Sequence, residues 1–199
     1  MQFKLYITSK KYSFINYNYK SIKMKYLHII IFAILIGCAN TNQSILKTDD
    51  ELSSNIKMLF EKYENNDFEV SQYYVDNVIT RINNSEITGF ENLTAGFKAH
   101  HDMLYDNIKI KDLYVHTNYF ANSEIWSNVW LTWTGTGKTT GTDYSNRAHF
   151  DYKWENGKIV VVQGYFDESI EKTEIAAYTE AQNQESVSYT HLRAHETSR

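Results

Sequence analysis

The stretch 108–167 constrains this chain more than any other feature, because it reads as four long strand-like segments separated only by turn chemistry. The segments are 108–120, 124–134, 141–154 and 158–167, with turns at Ala121-Asn122-Ser123, at 135–140 and at Glu155-Asn156-Gly157. Short polar and Gly-containing connections between long β-rich runs make antiparallel hairpins. A sheet of such strands must bury one face, and the material available to cover it lies upstream. The 199-residue chain is one ordinary domain's worth, with no Pro to break it and a single Cys, which excludes a disulfide framework and Cys-based zinc clusters.

The upstream material is helical. Thr48 and Glu51 form a capping-box pair, and Leu52, Ile56, Leu59, Phe60 and Tyr63 recur at helical spacing before Asn65-Asn66-Asp67 ends the run. A short second helix is expected from Asp67, burying Phe68 with Tyr73 or Tyr74. Residues 75–82 are β-rich, Asn83-Asn84-Ser85 is a turn, and 86–88 return as a short strand ending at Gly89. Phe90, Leu93, Phe97, His100 and Leu104 then make one stripe of a third helix. Residues 168–180 read as helical or frayed and 181–199 as disordered. Helices first and a curled antiparallel sheet afterwards predict an α+β domain over 49–180, with the helices on one face of the sheet.

Both ends lie outside that domain. Residues 24–38 combine a basic start, Met24-Lys25, with an apolar run of h-region length closing on Leu35-Ile36-Gly37-Cys38. That ending resembles a bacterial lipobox, which implies cleavage after residue 37, a lipid on Cys38, a polar tether over 38–48 and a place in the cell envelope, in the periplasm or at the outer membrane. Residues 1–23, rich in Lys, Tyr, Ile and Asn, read as translated AT-rich upstream sequence, so Met24 is the expected start. Residues 187–197 match one reading frame of a sequencing adapter. His191, His195 and Glu196 are therefore not offered as a metal site despite their spacing.

Without those ends, 38–186 holds 12 basic and 23 acidic residues, a formal −11 that the whole-chain value of −4 conceals. Nucleic acid is then not an expected partner, since phosphate neutralisation needs a basic face. The Gly135-Thr136-Gly137-Lys138-Thr139 stretch is a hairpin turn rather than a phosphate loop, because a strand follows it and not a helix. His100, His101, Asp102 and His116 do not form a metal set, as adjacent helical residues point about 100° apart. No metal or cofactor is expected.

Several segments together, namely Asn66-Asp67, Tyr74-Val75-Asp76-Asn77-Val78, Gly89-Phe90-Glu91-Asn92-Leu93, Trp133-Thr134-Gly135-Thr136 with Thr140-Gly141-Thr142, and Trp154-Glu155-Asn156-Gly157-Lys158-Ile159 ending in Tyr165-Phe166-Asp167, give a pattern that resembles the SnoaL-like branch of the nuclear-transport-factor-2-like superfamily. The resemblance spans about 49–169. It implies a cone-shaped half-barrel around an apolar pocket. Members include polyketide cyclases, ketosteroid isomerases, epoxide hydrolases, dehydratases and proteins without catalysis, so fold leaves function open. The cyclases' catalytic aspartate would fall on Phe150, the isomerases' base near Ile82 and their oxyanion-hole Tyr near Leu59. Asp167 matches the family's strand-end aspartate.

Strand parity sorts the candidates. In 141–154 the even set, including Phe150 and Tyr152, is expected inside the cone and His149 outside. Asp167 shares parity with Ile159, Gln163 and Tyr165. Enclosed by Trp130, Phe150 and Tyr152 it would be a desolvated acid or base; otherwise it caps the helix at Ser169. Trp126, Trp130 and Trp133 place indoles on both faces of one strand, with Val129 and Leu131 packing outward. The expected pocket set is Tyr74, His100, Trp126, Trp130, Phe150, Tyr152, Gln163 and Tyr165, with Asp167 and His100 as the catalytic candidates. An apolar outer face predicts a homodimer. Three functions fit: an envelope protein holding a small, largely apolar ligand; a cyclase-, hydrolase- or dehydratase-type enzyme using Asp167; or a protein-interaction module.

Overall fold

The structure, a computed structural model, describes residues 43–196. Expectations about Met24, Cys38 and everything before residue 43 lie outside the described residues. Chain order begins with β1 (Ile45–Lys47) and helix α1 (Glu51–Glu64). The helix starts at Asp50 and not at the expected Thr48. Asp50 Oδ1 accepts the Ser53 N–H at 3.1 Å, and the same carboxylate accepts the Tyr119 hydroxyl. A carboxylate immediately before Glu51 outcompetes a hydroxyl two residues earlier for the free N–H groups of the first turn. Ile56, Leu59 and Phe60 form the buried stripe, and Asn66 leaves the helix at a φ of 55°.

The short second helix is instead one 3₁₀ turn, Ser71–Tyr73. Val70 and Tyr73-Tyr74-Val75 favour extended backbone, so nothing propagates the turn. There follow β2 (Tyr74–Ile82), β3 (Ser85–Thr88) and α2 (Phe90–Ala99), which widens into a π-helical turn over His100–Leu104. The sheet continues with β4 (Tyr105–Tyr119), β5 (Ile125–Gly137), β6 (Asp143–Glu155) and β7 (Lys158–Phe166), and the last element is α3 (Ser169–Glu196). That helix runs through residues expected to be disordered. Ala176-Ala177 and Ala181-Gln182 are strong helix formers, and no Gly or Pro interrupts them.

The seven strands lie in the order β1-β4-β5-β6-β7-β2-β3. Neighbours are antiparallel except β2 and β7, which run parallel. β1 pairs Ile45 with Tyr119 and Lys47 with Thr117, so the tether expected over 38–48 is already part of the sheet from Ile45. β4 carries two register shifts against β5, flanked by Asn107 and Asp112 at φ 55° and 52°. Bulges of this kind bend a strand and increase its twist, which curls the sheet. The concave face takes the helices: Ile56, Leu59 and Phe60 of α1 and Leu93 of α2 pack with Val115, Val129, Leu131, Phe150, Tyr152, Trp154 and Val162. This is the α+β half-barrel the sequence predicts.

A polar row crosses that core. Trp154 Nε1 donates to Ser127 Oγ, Ser127 and Thr117 share a bond, Thr117 and Ser53 share another, each at 2.8 Å, and Ser53 donates to the Lys47 carbonyl at 3.3 Å. Each hydroxyl in the row can donate once and accept once, so β6, β5, β4, α1 and β1 are joined without an orphaned group.

Candidate ligand cavity

Where α1, α2 and the start of α3 meet the concave sheet, they leave a cavity of about 110 Å³. An engineered apolar cavity of about 150 Å³ holds benzene, so this space suits a molecule of roughly that size. Tyr74, His100, Phe150 and Tyr152 line it as expected. Tyr74, Phe150 and Tyr152 are there because the even set of β6 faces inward and Tyr74 opens β2, paired with Ile159 on the intervening β7.

Four expected residues are elsewhere. On β5 the inward set is Ile125, Ser127, Val129, Leu131 and Trp133, so Trp126 and Trp130 lie on the outer face, and Val129 and Leu131, expected outside, are core. Ser127 is turned inward to serve the polar row. On β7 Lys153 pairs with Val161 and Trp154 with Ile159, leaving Val160 as an extra residue. That bulge reverses the alternation, so Gly164 faces the core and Gln163 and Tyr165 face out. Tyr165 is 48% exposed.

Asp167 sits at the cavity rim, exposed to solvent. Its Oδ1 accepts the Ser169 N–H at 2.8 Å, and hydrogen bonding to Ser169 holds its carboxyl below the usual range. The enclosed, raised-pKa acid is therefore not found. Asp167 is the cap of α3, with its backbone N–H and C=O clasped by the Asn146 amide.

The polar end of the cavity is made by residues the strand pattern did not single out. Trp133 Nε1 donates to the Tyr63 hydroxyl at 3.1 Å, and that hydroxyl lies 3.0 Å from His100 Nδ1. With one proton on each, Tyr63 donates to Nδ1, and the imidazole N–H is Nε2, which faces Glu171 Oε1 at 3.6 Å. The nearby His100 imidazole holds the Glu171 carboxyl below its ordinary range against the opposing effect of burial. Such a row can hold a proton at Nε2 and present a carboxylate to whatever enters. Tyr63 was legible as part of the α1 stripe. Glu171 was not, because its place depends on how α3 docks.

Three further phenols point the same way. Tyr74, Tyr105 and Tyr152 are 6%, 3% and 5% exposed and line the cavity. Burial raises all three phenols, so each keeps its proton and remains a donor. Among the described residues no three His, Cys, Asp or Glu side chains are placed to hold a metal, and no helix is long and apolar enough to cross a membrane.

No family model and no curated protein matches the chain. Solved structures do resemble it. A protein provisionally described as a polyketide cyclase, from Silicibacter sp., is 17% identical with a TM-score of 0.49, over 60% of this chain and 93% of its own. An isomerase, also provisionally described, from Bacillus subtilis, is 12% identical with a TM-score of 0.49, over 62% and 91%. An NTF2-like protein from Anabaena variabilis is 14% identical with a TM-score of 0.48, over 58% and 86%. The strand order, the curl and the helix placement described above establish the fold independently of them.

Proposed function

We propose that this is a cell-envelope protein, tethered by a lipid on Cys38, whose domain holds a small, largely apolar ligand in the cone cavity and whose outer sheet face meets a second copy. The observation that carries the ligand reading is the aromatic cavity beneath the helices, lined by three phenols that burial keeps protonated and able to donate. A ligand with an apolar body and an acceptor atom satisfies both the walls and the hydroxyls.

The test is native mass spectrometry of the protein purified from its own envelope. A bound small molecule is expected in wild type and absent from Ala148→Phe, which projects a ring from the inner face of β6 into the space. A wild-type mass equal to the bare lipidated chain, unchanged by Ala148→Phe, would overturn the ligand reading. The same spectra test the anchor: wild type carries acyl mass at Cys38, and Cys38→Ser loses it.

A second reading has one observation in its favour, the continuous row from Trp133 through Tyr63 and His100 to Glu171. It makes the domain an acid–base enzyme in which His100 and Glu171, and not Asp167, handle the proton. His100→Gln would then abolish turnover of the co-purified ligand while leaving its retention intact.

A further inference from the structure

The ionisable groups lining the cavity are unbalanced in sign. Asp67, Asp167 and Glu171 line it, and no Lys or Arg does. Asp67 is occupied by Lys62, and Asp167 by the Ser169 N–H that opens α3. Glu171 is the remaining carboxylate. Its partner there is His100 Nε2 at 3.6 Å, longer than a charge-assisted hydrogen bond, so the carboxylate keeps acceptor capacity toward the cavity. Around it stand ring faces and edges: His100 against Tyr105 at 5.8 Å and Phe97 at 6.1 Å, and Tyr105 against Trp133 at 4.8 Å. Aromatic faces attract cations and a partly desolvated carboxylate pairs with them, whereas both repel anions. The acidic domain adds a field of the same sign.

We infer that the cavity selects a small organic amine in its protonated form, with the ammonium seated between Glu171 and the Tyr105–Trp133 rings and the carbon body toward Phe150. This rests on the ligand-binding reading of the same cavity and names its substrate class. Fatty acids and other carboxylates are excluded by the same charges that admit the amine.

Calorimetric titration of the folded domain with four probes of one size, toluene, benzyl alcohol, benzylamine and benzoate, tests it. Benzylamine is expected to bind about tenfold tighter than benzyl alcohol, and benzoate not measurably. Glu171→Gln should remove that tenfold preference while leaving benzyl alcohol affinity within about twofold, with the melting temperature read alongside to confirm folding. Benzoate binding as tightly as benzylamine in wild type overturns the inference without any variant, and so does benzylamine binding no tighter than toluene. If none of the four probes binds, the ligand cavity itself is refuted and the charge selection falls with it.

Discussion

Glu174 is a carboxylate with no exposed surface, one turn beyond Ile170 on α3. It accepts the N–H groups of Thr139 at 2.7 Å and Thr140 at 3.2 Å, and the hydroxyls of Thr140 at 2.8 Å and Tyr144 at 3.3 Å. Gly137 beneath it must lack a side chain, since a Cβ there would lie 2.3 Å from Glu174 Oε2. Burial opposes ionisation, but these four donors together lower the carboxyl below its ordinary value near 4.5. A carboxyl lowered by folding stabilises the native state fully above its unfolded pKa, and that contribution is lost as pH falls through the folded value. Glu174→Gln should therefore cost about 2 kcal/mol at neutral pH. In a domain of this size that is a fall of roughly 4–8 °C in melting temperature, and the gap should narrow below about pH 4.5. Thermal melts of both proteins from neutral to acid pH check this; a constant gap would show that the charge on Glu174 is not what the hairpin uses.

At the scale of elements, the Trp154–Ser127–Thr117–Ser53 row ties a helix to three strands, and its centre is Thr117, fully buried. Thr117→Val keeps shape but leaves Ser53 and Ser127 each short of a partner. It should destabilise by roughly 1–3 kcal/mol relative to Thr117→Ser, which keeps the hydroxyl. Urea denaturation of the two variants measures the difference; equal midpoints would mean the row contributes nothing. Such rows also explain what the sequence could and could not reveal. Helical stripes such as Ile56, Leu59 and Phe60, and alternation along β6, are local signals, so most elements and the inward set of β6 were legible. Ser127 broke the apolar pattern of β5 and disguised its inward face, because its partners Thr117 and Trp154 lie on other strands. Val160 is indistinguishable from its neighbours in sequence, yet its bulge decides that Gln163 and Tyr165 miss the cavity. Glu171 reaches His100 only because Asp167 and Glu174 fix α3 against the cone mouth and the 135–140 turn.

For the whole molecule, the outer sheet face presents the remaining problem. Tyr114, Trp130, His149 and Tyr165 are cross-strand neighbours in register over β4, β5, β6 and β7. Their rings touch in sequence at 6.0, 4.5 and 6.2 Å, and His116 stacks on Trp130 at 5.3 Å. Tyr114, Trp130 and Tyr165 remain 50%, 45% and 48% exposed, an aromatic band across a rigid surface. Apolar bands of this kind gain most by meeting a complementary copy of themselves across a two-fold axis. The formal −11 of residues 38–186 opposes that association, since two copies repel over the roughly 30 Å Debye length of 0.01 M salt but far less over the roughly 10 Å of 0.1 M. The proposed homodimer should therefore tighten as salt is added, opposite to an interface built on ion pairs. Sedimentation of residues 43–186 at micromolar concentration should show dimer increasing between those two salt concentrations. Trp130→Glu, which puts a charge at the centre of the band without touching the core, should be monomeric in both. A wild-type domain that sediments as a monomer at both salt concentrations would leave the aromatic band without a second copy to cover it.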